Sequence, residues 1–247
     1  MDAIPFSKDA DPPVRGFLHR PESVTASSAD AIVLTHGAGS NCQAPLLVAL
    51  AEALAGSGLT VLRCDLSYRQ KRPHGPPFRG EDVHDREGLR NAVEALRALD
   101  AAGDSGGPAG PNAQDLSDRR PFERIFLGGH SYGGRQATML AAECAGVASG
   151  LLLLSYPLHP PRQPSRPRTD HFAALATRAL FVHGTRDPFG SIEAMELALR
   201  LISARTALVR IEGAGHDLGS ARPAARPALA RNITEAFATF YPAGRSD

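Results

Sequence analysis

Short, unbroken apolar runs alternate along this chain with stretches of helical periodicity. Ala31–Thr35 (AIVLT) reads as a buried strand, and Leu46, Leu47, Leu50 and Leu54 then recur at helical spacing. Leu59–Asp65 is the next strand. A helix marked by Leu89, Val93, Leu96 and Leu99 follows, with Asp82 or Asp85 as its expected N-cap. Phe122–Gly128, Gly150–Ser155, Ala179–His183 and Ala207–Ile211 complete the buried strands. Helices are expected over Ser131–Cys144, Ile192–Leu201 and Ala224–Phe240. Strands that are apolar on both faces and alternate with helices belong to a mostly parallel sheet covered on both sides. Val14–His19 is expected as an antiparallel edge strand.

Two irregular segments interrupt the pattern. Gly103–Pro121 is a Gly/Pro/Asp loop expected to be mobile, and His159–Arg168 is rich in Pro and Arg. The β-α alternation continues through both, so one α/β domain is expected over residues 1–247. Twenty-seven basic residues against 26 acidic ones give a net charge of +1. That balance points neither to nucleic acid nor to a membrane surface. The longest apolar run is far short of the roughly 20 residues of a membrane span, and the start MDAIPFSKDADPP has no apolar leader core. The three cysteines lie in no metal-binding spacing and read as reduced thiols. A cytoplasmic protein is the expectation.

The strongest chemical signal is Gly129-His130-Ser131-Tyr132-Gly133. This G-x-S-x-G directly follows an expected strand and opens an expected helix, the setting of a nucleophile elbow. A serine hydroxyl needs a base, and the base needs an orienting acid. In the elbow arrangement the acid and then the histidine follow the serine in the chain. Four of the nine histidines come after Ser131. His216, in Gly213-Ala214-Gly215-His216 just past a strand, is the chosen base. His183 sits inside a strand and reads as core, while His159 and His171 are possible site-lining residues. Asp187, past the strand Ala179–His183, is the chosen acid, with Asp170 and Asp217 as weaker rivals.

A tetrahedral intermediate also needs hydrogen-bond donors for its oxyanion. Tyr132 N–H is one expected donor. The other is expected from His36-Gly37-Ala38-Gly39-Ser40, with Ala38 first and Gly39 next. Gly39, His159 and Tyr156 are the candidate substrate-binding residues. Arg69, Lys71 and Arg72 on one loop and Arg162, Arg166 and Arg168 on another share the expected active-site edge. They read either as solvated surface or as a rim favouring anionic substrates. GAGSNC lacks the third glycine of a dinucleotide fingerprint, and no cofactor or metal is expected.

The set LTHGAG, GGHSYGG, HGTRDPFG and GAGHDL resembles the α/β-hydrolase superfamily over about Ala31 to Tyr241. SYPLHPP at 155–161 and Lys71-Arg72-Pro73 resemble a narrower, predicted dienelactone-hydrolase-like family, which includes the testis-expressed and NSL-complex hydrolase-like domains. The resemblance implies an α/β-hydrolase fold with Ser131, Asp187 and His216 as triad. Dienelactone hydrolases carry a cysteine nucleophile, so Ser131 does not imply their substrate. Only residues 159–178 separate Leu158 from Ala179, too few for a large cap domain. The expected function is a serine carboxylesterase acting on a small or polar acyl ester. The alternative is a catalytically silent scaffold on the same fold.

Overall fold

The computed structural model describes residues 3–21, 30–101 and 122–243. The expected Gly103–Pro121 loop lies outside the described residues. Eight strands form one sheet in the order β1-β2-β4-β3-β5-β6-β7-β8. They are β1 (Ile4–Lys8), β2 (Val14–His19), β3 (Asp30–Thr35), β4 (Thr60–Cys64), β5 (Arg124–His130), β6 (Gly150–Leu154), β7 (Ala179–Gly184) and β8 (Thr206–Ile211). The strands from β4 across to β8 pair in parallel, and β1 and β2 pair antiparallel at one side.

Side-chain alternation splits the core in two. In β6, Leu151 and Leu153 face one cluster and Leu152 and Leu154 the other. Helices α3 (Asp82–Ala101), α4 (Tyr132–Glu143) and α5 (Ile192–Leu199) cover the first face. Helices α1 (Pro45–Gly56) and α6 (Arg226–Phe240) cover the second. A five-residue helix, α2 (Ser67–Lys71), follows β4. The β6–β7 connection holds only a short 3-10 turn, Phe172–Ala174, so no cap domain is inserted there. Among the described residues no helix is long and apolar enough to cross a membrane.

Four expectations need correction. Val14–His19 is not the edge, because Ile4–Lys8 pairs outside it. Its proline and exposed residues hid that strand from a periodicity reading. The strand expected over Phe122–Gly128 runs instead from Arg124 to His130. Gly129 reads as the start of a turn, yet it pairs with both β3 and β6, and backbone atoms of Gly133 and Gly134 lie 2.8 Å from where its Cβ would stand. The helix after it begins at Tyr132, leaving Ser131 outside. Asp85 is no N-cap: it lies within the first turn of α3 and is fully buried.

Buried imidazoles make the fold sensitive to acid. His19 accepts a hydrogen bond from Arg63 Nε at Nε2 (2.9 Å), and burial, reinforced by the Arg63 charge, pushes its pKa down to about 4. Burial also pushes His130 and His171 down to about 4. A depressed pKa contributes stability that is present above the unfolded value of about 6.5 and lost as pH falls towards 4. The urea midpoint is therefore expected to drop between pH 6.5 and 4. His19→Gln, which keeps an acceptor for Arg63, should flatten that dependence by about one proton. A midpoint with the same pH slope in both proteins would contradict this.

Candidate active site

The C-terminal ends of the parallel strands bring the chemistry-bearing residues to one edge. Ser131 sits between β5 and α4 with φ of 52° and ψ of −115°. A non-glycine residue there is strained, and the strain is held by its surroundings. Ser131 N–H donates to Leu154 O of β6 (2.8 Å). A Cβ on Gly133 would lie 2.6 Å from His36 O, a backbone atom that cannot step aside. Glycine at 133 is thus what lets the elbow close against β3. The serine lies at the positive end of α4, which favours developing negative charge.

Two loops reach over the serine. Ser131 Oγ–H donates to His216 Nε2 (2.8 Å), and His216 Nδ1–H donates to Asp187 Oδ2 (2.8 Å). The carboxylate only accepts, so the proton belongs on Nδ1 and Nε2 is left free to accept. The Asp187 side chain is fully buried. Its other oxygen accepts Phe189 N–H (2.9 Å), and the Phe189 ring packs on the His216 ring, centroids 4.3 Å apart. A hydroxyl in contact with a base whose far side is held by a carboxylate can act as a nucleophile.

His130 supports this loop. Its Nε2–H donates to His216 O (2.8 Å). Sequence reading registered His130 only as a letter within the elbow motif. Its partner lies 86 residues away, and nothing local signals the contact.

The loop after β3 lies against the elbow: a Cβ on Gly37 would sit 3.4 Å from Ser131 Cβ. His36 is fully buried, with Nδ1–H donating to Gly37 O (2.9 Å) and Nε2 accepting Leu66 N–H (3.1 Å). Burial holds its pKa below the usual imidazole value, so it stays a neutral strut. Ala38 is half-buried and Gly39 exposed. Tyr132 is the first residue of α4, where a backbone N–H has no partner within its own helix.

The remaining candidates separate clearly. The rival acids point elsewhere: Asp217 accepts Gly219 and Ala221 N–H (both 3.0 Å), and Asp170 is exposed. His183 is fully buried and Nε2–H donates to Gly190 O (2.8 Å). His171 bonds Thr138 Oγ1 (2.8 Å). His159 reaches the neighbourhood through its N–H to Phe189 O (3.2 Å). Tyr156 is not a lining residue. It is fully buried against Phe172 and Phe181, and its hydroxyl donates to Arg168 O (2.6 Å). Its place right after an apolar strand made core and cleft indistinguishable in the sequence. Arg69 is no rim residue either, being only 6% exposed. Arg72 pairs with Glu81 (2.5 Å), Arg162 and Arg166 are exposed, and Arg168 is half-buried.

A cleft of about 200 Å³ opens beside the elbow. His36, Gly37, Leu46, Leu47, His130 and Asp217 are among the residues that line it, whereas Ser131 and His216 are not.

A family model described as an alpha/beta hydrolase domain matches residues 28–240. Solved structures share the fold. A dienelactone hydrolase from Anabaena variabilis superposes with a TM-score of 0.68 at 22% identity, covering 96% of this chain and 97% of that one. An alpha-beta serine hydrolase homologue from Coxiella burnetii gives 0.67 at 18% identity, covering 94% and 98%. XC6422 from Xanthomonas campestris, described as a serine hydrolase without lid, gives 0.66 at 17% identity, covering 100% and 98%.

Proposed function

This chain belongs to the alpha/beta hydrolase domain family, and on that premise we propose that it is a serine hydrolase of carboxylesterase type acting on small acyl esters. The observation that carries the reading is the relay of two 2.8 Å hydrogen bonds from Ser131 through His216 to Asp187. In this mechanism Ser131 Oγ attacks the acyl carbonyl while His216 Nε2 takes its proton. Asp187 holds the imidazole tautomer and stabilises the imidazolium. Backbone N–H groups of Tyr132 and Ala38 bind the oxyanion. His216 then returns the proton to the departing alkoxide, and water releases the acyl group with His216 as base. One domain spanning residues 1–247 carries the whole site in this reading, without cofactor or metal.

The short β6–β7 connection supports short acyl groups. Without a cap domain little apolar wall is present to reward added methylenes, each contributing about 0.8 kcal/mol when buried. Fluorophosphonate labelling tests the class: the expected result is one adduct, on Ser131, and an unlabelled protein would favour a silent scaffold. An ester panel tests the range. kcat/KM is expected to level off or fall beyond about six acyl carbons, the added methylenes finding no wall to bury them. A steep rise with chain length would reject the open site.

A further inference from the structure

We infer that Tyr68, Arg69 and Asp85 are positioning residues that shape the oxyanion hole, tying the loop at 37–40 to the residue after the nucleophile. This inference rests on the serine-hydrolase reading. None of the three is expected to touch substrate.

The first half of the device holds carbonyls. Tyr68 Oη–H donates to Ala38 O (2.7 Å) and lies 3.4 Å from Gly37 O. Arg69 spreads its guanidinium over four backbone carbonyls: Ser40 (2.6 Å), Ala38 (3.2 Å), Gly75 (2.8 Å) and Arg72 (3.0 Å). It is buried and has no carboxylate partner among the described residues. Burying a charge this way is costly unless its donors are satisfied, and here two of the four carbonyls belong to the loop at 37–40 and two to the segment after α2. In a trans peptide the C=O and the following N–H point in opposite directions. Drawing Ala38 O towards Tyr68 and Arg69 therefore turns Gly39 N–H away from them. Gly37 O accepts from His36 Nδ1 (2.9 Å) and Ser40 N–H (3.0 Å), which turns Ala38 N–H away likewise. Two successive donors are thus released from the loop's own bonding, beside the elbow.

The second half joins this loop to the elbow. The fully buried Asp85 accepts Tyr68 N–H at one oxygen (3.0 Å) and Tyr132 Oη–H at the other (2.8 Å). Tyr132 supplies the proposed second oxyanion donor from its backbone. The Tyr68 and Tyr132 rings meet edge-on, centroids 6.0 Å apart. One carboxylate therefore spaces the two walls of the hole. Burial pushes the Tyr68 phenol up to about 12 and raises that of Tyr132 further, so both stay protonated donors at neutral pH.

The test compares Tyr132→Phe, Tyr68→Phe and Arg69→Lys with the parent protein. Tyr132→Phe keeps the backbone donor and removes only its tie to Asp85. Three readouts are needed: kcat and KM for a short-chain ester, the rate of fluorophosphonate labelling, and affinity for an alkyl boronic acid, which forms a tetrahedral anion on the serine. Displacing a group by about 1 Å can cost about 100-fold. The expected result is a 10- to 100-fold fall in kcat and labelling rate, a parallel loss of boronate affinity, and KM within about threefold. If Arg69→Lys fails to fold, the two phenylalanine variants, each lacking one oxygen, decide the matter. kcat and boronate affinity within twofold of the parent in those variants would overturn the inference, as would a rise in KM alone. A parent protein that takes no label would overturn the hydrolase reading itself and this inference with it.

Discussion

Replacing Ser131 with alanine is expected to lower ester turnover by at least three orders of magnitude and to abolish fluorophosphonate labelling. The hydroxyl is the only group in the relay that can form the acyl bond, and residues acting as such a unit fail together. His216→Ala is therefore expected to cost a similar factor, and the double variant little more than either single one. Stability should change in the other direction for Ser131. Its φ of 52° is unfavourable for any residue with a Cβ, so Ser131→Gly is expected to raise the melting temperature while removing activity. Turnover of p-nitrophenyl acetate by these variants, and thermal unfolding of Ser131→Gly beside the parent, check both points. Wild-type turnover in Ser131→Ala would refute the assignment of the nucleophile.

Asp187→Asn is expected to lower kcat by about 10³- to 10⁴-fold with the fold intact. The carboxylate accepts from two donors, Phe189 N–H at one oxygen and His216 Nδ1–H at the other. An amide has one oxygen and one NH₂, so a donor must face a donor on one side. If the NH₂ faces Phe189, a buried N–H loses its acceptor at a cost of about 1–3 kcal/mol. If it faces His216, the ring adopts the other tautomer, Nε2 carries the proton, and it can no longer accept from Ser131. The second arrangement keeps a partner for every buried group, with the Ser131–His216 bond now running from Nε2–H to Oγ, and is the one expected. Steady-state kinetics with a melting curve separate the outcomes: low kcat at near-parental stability is the predicted pattern. Activity within tenfold of the parent would remove Asp187 from the proposed relay.

Several of these residues could be nominated from the chain alone. Ser131 stood out because its glycine neighbours lie exactly between a strand pattern and a helix pattern. Asp187 and His216 followed from chain order and from their places just past strands. The nomination of Tyr156 failed for the opposite reason. A position directly after a buried strand leads either into the cleft or into the next layer of core, and local sequence does not distinguish them. Asp85 was misread because an acid near a helix start is an ordinary cap. Its real partners, Tyr68 and Tyr132, are 17 and 47 residues away.

The division has a physical basis. Strand and helix periodicities arise from backbone geometry over two to four residues, so the sequence by itself determined the β-α alternation, the two-faced parallel sheet and the turn that exposes Ser131. The antiparallel strand Ile4–Lys8 and the strand residues Gly129 and His130 escaped that reading, because pairing with neighbouring strands, not local pattern, makes them strand. Side-chain partners were decided by tertiary structure alone. Arg69 became a clamp on carbonyls because α2 meets the loop after β3, His130 a support because the His216 loop meets the end of β5, and Asp85 a spacer between two tyrosines because α3 meets α2 and α4. A buried polar group must find a partner, but which one it finds depends on how the layers meet, and no local stretch of sequence encodes that.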